Sequence, residues 1–535
     1  MKHFNGLYMK RAITVYILFT IMFIICGVRV LSIQNNSAVN NVAEMQFSRS
    51  ITLSESRGYI YDRNFEPLVN EEKTSKRIVL SKDSDYMSIN NNVIEEIKSG
   101  IFIALSENDT TDGNFEEFID IKRYSENFLC RHIIGYTDAA GNGVSGIEKA
   151  FDKILKDASG ELIINYKSDA RGDLLIGDGI DIINNNYNSV AGVVLTIDKN
   201  FQKISEDAIN NSDIICGSVV VMDVNTFEIL ALVSSPVYSY DNLDLSLDDN
   251  NLPFLNRALC AYPAGSVIKP FVAVSALEKG INSNICLECN GCLDISGNNF
   301  RCYNFNKHGN VDLNKAIEKS CNTFFINLGL KTGAEKISDT LSNFGFGKEI
   351  KLCSTIISSS GNLPKNETIE SDAQLANICF GQGELLVTPI QLAAAYSVLA
   401  NGGSYKEPTI LKALIDEKGY SYAEYRSEVD YKVTNNEICQ IINNALYNNM
   451  LNGTGVNGAS DAIYSAGKTA TAQTGRYDDN GNEQLVTWFA GFFPFENPKY
   501  AVVILNEKGS TASIDCAPVF KDIIENINSF ENKVG

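Results

Sequence analysis

Within "AYPAGSVIKPF" (261–271), Ser266 precedes Lys269 by three residues, a spacing that puts a hydroxyl and an amine on the same face of a helix. That pairing suits nucleophilic catalysis. A serine hydroxyl attacks a carbonyl only once a base takes its proton, and a lysine desolvated among Pro263, Val267 and Phe271 can be neutral enough to serve. Alone, the pattern reads equally well as a helix-capping serine followed by a surface lysine. A histidine base is the usual alternative, and the chain has only His3, His132 and His308. His3 precedes an apolar stretch and His132 lies in an N-terminal module, which leaves His308 for a Ser-His-Asp arrangement. No G-x-S-x-G elbow is present. If the chain transfers acyl groups through serine, lysine is the expected base.

Two later segments complete a pattern. "KSCNTFF" (319–325) supplies Ser320 and Asn322, and "SAGKTATAQTG" (465–475) supplies Lys468, Thr469 and Thr471. S-x-x-K, S-x-N and K-T-x-T, in that order, form the three-part signature of penicillin-binding proteins and serine β-lactamases. With these motifs the chain resembles a class B high-molecular-weight penicillin-binding protein, a monofunctional peptidoglycan D,D-transpeptidase. The resemblance covers nearly the whole chain. "RGYIYDRNFEPLV" (57–69) is similar to the family's R-G-x-I-x-D-R-N segment, and "HIIGYTDAAGNGVSGIEKAFD" (132–152) to its H-x-x-G-Y and G-x-S-G-I-E-K-x-x-D segments. "NRALCAYPAGSVIKP", "GQGELLVTPIQLAAAYSVLANGG" and "WFAGFFPFENPKYAVVI" match family segments equally well.

The resemblance implies a mechanism. Ser266 would attack the penultimate D-alanine of a peptidoglycan stem peptide, with Lys269 accepting its proton, Ser320 relaying a proton to the leaving group and Asn322 contacting substrate and Lys269. Lys468 and Thr469 would hold the terminal carboxylate, and the backbone N–H groups of Ser266 and Thr471 the oxyanion. β-Lactams would acylate the same serine. No cofactor or metal is called for. One position departs from the family pattern: Ala470 stands where K-T-G-T has glycine, adding a methyl to the active-site strand, and a methyl in a tight site costs roughly 1–3 kcal/mol. A carboxypeptidase or β-lactamase-like hydrolase would share these motifs, and a catalytically weak, membrane-anchored scaffold would be compatible with Ala470.

The elements that must position these residues follow from patterning. Residues 12–28 carry no charge and, extended to about 33, form a membrane-span candidate preceded by Lys2, Lys10 and Arg11. Basic flanks place the N-terminus in the cytoplasm and the remainder on the outer face; without a small-x-small cleavage site, an uncleaved anchor is favoured. Residues 1–11 are then a cytoplasmic tail, 12–33 the anchor, 34–190 a β-rich, elongated pedestal or dimerisation-type module, and 191–535 the transpeptidase domain. Arg57, Asp62, Arg63 and Glu148 are expected to make ion pairs within the module. It has no room for a glycosyltransferase, so a membrane-embedded glycan polymerase and other wall-synthesis proteins are expected partners, and no repeat modules are expected after the last helix.

The apolar runs around "VNTFE" (224–228) predict a hairpin. Helices are expected at 266–279, 313–330, 388–401 and 518–530, and strands at 485–493 and 499–506. Strands, then helices, then strands again imply an α+β domain whose antiparallel sheet is closed by distant segments. The formal net charge of −20, from 65 acidic and 45 basic residues, excludes nucleic acid as a partner class. Most of the 13 cysteines, such as Cys216, Cys260, Cys379 and Cys439, stand singly in apolar runs as core thiols. Cys286, Cys289, Cys292 and Cys302 cluster, but their spacing resembles a zinc ribbon only loosely, and a local disulfide or free thiols is the preferred reading.

Overall fold

A computed structural model describes residues 2–35, 48–80, 93–98, 101–105, 115–169, 175, 180–240, 242–477 and 481–534. Helix α1, Lys2–Gln34, contains the stretch Gly6–Gln34, which is unburied and, among the described residues, the one helix long and apolar enough to cross a membrane. At about 1.5 Å per residue its 29 residues exceed the roughly 30 Å of a hydrocarbon core. The chain is in this respect a single-pass membrane protein, and the span expected at 12–33 lies inside α1.

The chain divides into two compact units with interleaved segments. One comprises residues 1–57, 72–123 and 159–189; the other comprises 58–71, 124–158 and 190–535. The first unit holds two antiparallel sheets, one ordered Ser48–Ser56, Gly160–Lys167, Ile180–Asn185 and the other Val93–Lys98, Ile101–Leu105, Glu72–Leu80, Phe115–Lys122. Ile78, Ile101, Phe118, Leu162, Ile164 and Tyr166 form its core.

Residue 190 is the last point at which the chain passes into the second unit, but segments 58–71 and 124–158 pack with the residues after it. Backbone hydrogen bonding is the cause. Tyr59–Tyr61 pairs in parallel with Gly192–Leu195, and Gly58 donates to the Leu155 carbonyl. The "RGYIYDRN" segment thereby becomes a strand of a sheet completed by Leu411–Ile415 and Ser421–Glu424.

The second unit is built on five antiparallel strands: β1 (Gly217–Asp223), β2 (Ile229–Ser235), β3 (Ala466–Tyr477), β4 (Glu483–Phe493) and β5 (Tyr500–Gly509), ordered β2-β1-β5-β4-β3. The expected hairpin is β1–β2, and the late strands close the sheet on β1 as expected for an α+β domain. Alternation assigns the faces. Val219 and Val221 pack with helices α2 (Lys199–Asn210) and α8 (Ala517–Val534), while Val220, Met222, Trp488 and Ala490 face the larger core. That core contains α3 (Lys269–Glu278), α4 (Leu313–Glu318), α5 (Asn322–Thr332), α6 (Pro389–Ala400) and α7 (Asn436–Asn452). Every residue of α6 is buried, and its first turn is closed by a reciprocal cap between Thr388 and Gln391.

Candidate active site

Ser266 lies in a 3-10 turn, Gly265–Ile268, that runs into α3, so the α-helix expected from 266 starts at Lys269, one tight turn later. Pro270 is tolerated there because the first helical N–H groups have no intrahelical acceptor. Gly265 adopts φ 58° and donates to the Gly381 carbonyl at 2.7 Å. A Cβ at Gly265 would lie 3.1 Å from the Ala472 methyl and 3.2 Å from the Ala470 methyl, so the serine turn rests directly on β3. Trp488 Nε1 donates to the Pro263 carbonyl at 2.9 Å and the Tyr396 hydroxyl to the Val267 carbonyl at 3.1 Å, fixing the turn on both sides. Ser266 itself is only partly buried.

Lys269 is fully buried. Its Nζ donates to the Ser320 carbonyl at 2.7 Å, to Ser320 Oγ at 3.1 Å and to Asn322 Oδ1 at 2.7 Å. Burial pushes the amine down to about 7, against the opposing pull of Cys321 and Cys302. The turn that receives it breaks the helix expected over 313–330. Ser320 sits at φ 52°, its N–H bonds to the Ile317 carbonyl and that of Cys321 to the Ala316 carbonyl. These two bonds are a Schellman cap ending α4, after which Cys321 opens α5. Three residues that a continuous helix would spread around its circumference are instead gathered at a corner. Asn322 is oriented by its own amide, which donates to the Arg301 carbonyl at 2.8 Å.

Lys468, also fully buried, sits on β3. Its Nζ donates to the Thr469 carbonyl at 2.9 Å and to Thr454 Oγ1 at 3.3 Å, and Thr469 Oγ1 donates to Thr454 Oγ1 at 2.7 Å. Burial, then the neighbouring Lys269 charge, hold Lys468 well below the ordinary lysine range. Thr454 and the buried Asn449 were not singled out from sequence. Asn449 Nδ2 donates to the Gly467 carbonyl at 2.9 Å while its Oδ1 accepts from the Thr454 N–H at 3.0 Å. The only sequence signal was the turn-like "NGTG" after α7. Thr471 points to the exposed side of β3, where its Oγ1 accepts from the Ala512 N–H at 3.3 Å. The Ala470 methyl is buried in the core against Gly265, beneath the serine turn.

Other expected residues take structural positions. Asp62 is fully buried and caps its own turn, accepting from the N–H groups of Asn64 and Glu66 at 2.7 and 2.8 Å. Arg63 pairs with Glu228 at 3.0 Å, and the buried Glu148 accepts from the Tyr124 hydroxyl at 2.9 Å. All three lie in the second unit, contrary to the expectation of ion pairs inside the N-terminal module. The four clustered cysteines separate: Cys286 and Cys292 are exposed, while Cys289 and Cys302 turn inwards to Cys321 and His308. His308 Nδ1 lies 3.3 Å from Cys289 Sγ. That placement gives it a partner other than Ser266.

Residues 217–525 match the family model described as penicillin binding protein transpeptidase domain. The chain is 28% identical over 419 residues to peptidoglycan D,D-transpeptidase MrdA of Haemophilus influenzae, covering 72% of this chain and 62% of that protein's length. It is 26% identical over 561 residues to stage V sporulation protein D of Bacillus subtilis, covering 94% of this chain and 82% of the relative. Among solved structures, the D,D-transpeptidase domain of a peptidoglycan glycosyltransferase from Eggerthella lenta superposes with a TM-score of 0.65 at 22% identity, over 90% of this chain and 99% of that one. Penicillin binding protein 3 of Mycobacterium tuberculosis, known in complex with aztreonam, gives 0.64 at 22% identity over 90% and 97%. At these identities the structures speak for the fold, and the family model speaks for more than half of the sequence. The chain belongs to the penicillin-binding protein transpeptidase family.

Proposed function

We propose that this protein is a peptidoglycan D,D-transpeptidase acting through an acyl-enzyme on Ser266. The observation that carries the reading is the convergence on Lys269: an amine three residues after the serine, buried, with Ser320 and Asn322 as its hydrogen-bond partners. Ser266 Oγ attacks the carbonyl carbon of the penultimate D-alanine, and its proton passes to the neutral amine of Lys269. As the tetrahedral intermediate collapses, the peptide C–N bond breaks and Ser320 relays a proton to the departing D-alanine nitrogen. Backbone N–H groups of Ser266 and Thr471 stabilise the oxyanion. Lys468 and Thr469 receive the substrate carboxylate, whose negative charge restores the proton that burial disfavours on Lys468. A neighbouring stem peptide's amine then attacks the ester, releasing Ser266 and leaving a cross-link.

A β-lactam presents the same carbonyl and carboxylate and acylates Ser266. The catalytic unit works on the outer face of the membrane, with the basic N-terminal tail inside and a membrane-embedded glycan polymerase supplying strands. The Ala470 methyl packs beneath the serine turn, and what weighs against a scaffold role is the complete set of Ser266, Lys269, Ser320, Asn322 and Lys468. The test is covalent labelling of the full-length protein with a fluorescent penicillin, followed by intact mass and peptide mapping. One adduct on Ser266, absent from folded Ser266→Ala, is expected; a folded wild-type protein that takes up no label would end the proposal. Incubation with a donor peptide and an acceptor amine separates transpeptidation from a hydrolase, which would yield only the acid product.

A further inference from the structure

Four side chains converge beside the corner that receives Lys269. The ligand atoms of Cys289, Cys302, His308 and Cys321 all lie within 4.8 Å of one another. Cys289 Sγ is 3.7 Å from Cys302 Sγ and 3.3 Å from His308 Nδ1, and Cys302 Sγ is 3.8 Å from Cys321 Sγ. The three cysteines are buried and His308 is partly exposed. A bonded disulfide holds its sulfurs at about 2.0 Å, so these distances describe no bonded pair. These three distances match edges of a tetrahedron: with metal–sulfur bonds of about 2.3 Å, its sulfur–sulfur edges are about 3.8 Å, and with a metal–nitrogen bond of about 2.0 Å the mixed edge is about 3.5 Å; the other three pairs lie within 4.8 Å.

We propose that Cys289, Cys302, His308 and Cys321 form a closed tetrahedral site for zinc. Three thiolates and one imidazole fill four positions and leave none for water, the pattern of a structural rather than a hydrolytic zinc. Binding displaces the three thiol protons. The ligands come from separate pieces of chain: Cys289 ends a strand paired with Gly309–Val311, His308 immediately precedes that partner strand, Cys302 follows the Asn298–Arg301 strand, and Cys321 is the cap residue of α5. Cys321 also stands between Ser320 and Asn322. The metal therefore ties the 287–311 segment to the corner that receives Lys269, and it fixes Arg301, whose carbonyl orients Asn322. These four are positioning residues. Zinc binding stands independently of the proposed activity; only the effect on acylation rests on it.

The experiment uses full-length protein purified in detergent without added metal. Elemental analysis is expected to find about one zinc per chain that survives desalting. After removal with a strong chelator under reducing conditions, Co2+ is expected to bind one-to-one and give the visible absorption of a tetrahedral thiolate site. Cys289→Ser and His308→Ala should lose the tightly held zinc, whereas Cys286→Ser and Cys292→Ser, at exposed thiols, should keep it. Metal-free wild type that remains folded by circular dichroism yet takes up neither zinc nor cobalt overturns the site, as does zinc retained in both ligand variants. A Cys289–Cys302 disulfide in the purified protein, found by differential alkylation and mass spectrometry, overturns it too. Chelation is expected to slow penicillin acylation tenfold or more, with recovery on zinc addition. An unchanged rate in demonstrably metal-free protein would leave the site and overturn its positioning role.

Discussion

Lys269 shows how one side chain's environment sets its chemistry. In water a lysine is protonated at neutral pH and useless as a base. Inside this unit it has lost its solvent, and its three acceptors hold the amine in place while burial pushes it down to about 7. Only the neutral amine can accept the Ser266 proton. Acylation by a penicillin should thus be nearly independent of pH above about 7 and fall towards tenfold per unit below it, as the amine takes up a proton. The second-order labelling rate measured from pH 5 to 9 checks this. Lys269→Arg, which keeps a positive charge throughout, should be inactive at every pH; a wild-type profile flat down to pH 5 would remove Lys269 as the base.

At the scale of elements, the decisive feature is that α7 and the following turn support β3 from behind. Thr454 accepts from both Lys468 and Thr469, and Asn449 holds Thr454 and the Gly467 carbonyl in register. Replacing Thr454 by valine preserves shape but leaves two donors without their acceptor in a buried site, a loss of about 1–3 kcal/mol. Thr454→Val should slow acylation about tenfold or more and weaken carboxylate recognition, and Thr454→Ser should restore most of the rate. Labelling rates and melting temperatures of both variants separate this effect from unfolding.

These contacts also mark where sequence reading stopped. The motifs were legible because each keeps its reacting residues within a few positions, and the β1–β2 hairpin because its apolar runs flank a turn. The break between α4 and α5 was not. A Schellman cap is announced by glycine at the left-handed position, whereas here serine occupies it at φ 52°, a conformation costing roughly 1–2 kcal/mol for an L-residue. Apolar periodicity simply runs across the break. Likewise Cys321 stands far along the chain from Cys289 and reads as a core thiol until folding places them together. The segment 57–69 showed its family resemblance, but not that its strand would pair with Gly192–Leu195.

For the molecule as a whole, the interleaving of segments ties stability to residues far from the catalytic motifs. His132, in the segment 124–158 that belongs to the catalytic unit, makes a 2.7 Å hydrogen bond through Nε2 to the Pro253 carbonyl and meets the Tyr238 ring edge-on. Burial pushes it down to about 4, with the positive charges of Arg257 and Arg131 acting in the same direction and the Pro253 bond opposing. In the unfolded chain its value is about 6.5. Between these values the unfolded chain binds a proton that the folded chain refuses. The contribution is therefore complete above about 6.5 and is lost as pH falls towards about 4, by at most about 3 kcal/mol. The ring's residual exposure puts the loss below that limit. Glu206, which accepts from the Cys130 N–H at 2.9 Å, is held above the carboxylate range by burial and works with the opposite sign. The His132 part is accordingly read as a difference. His132→Gln keeps a donor for Pro253 but cannot titrate, so the drop in melting temperature between pH 7 and pH 5 should be smaller in the variant than in the wild type. Equal drops would show that the destabilisation arises elsewhere.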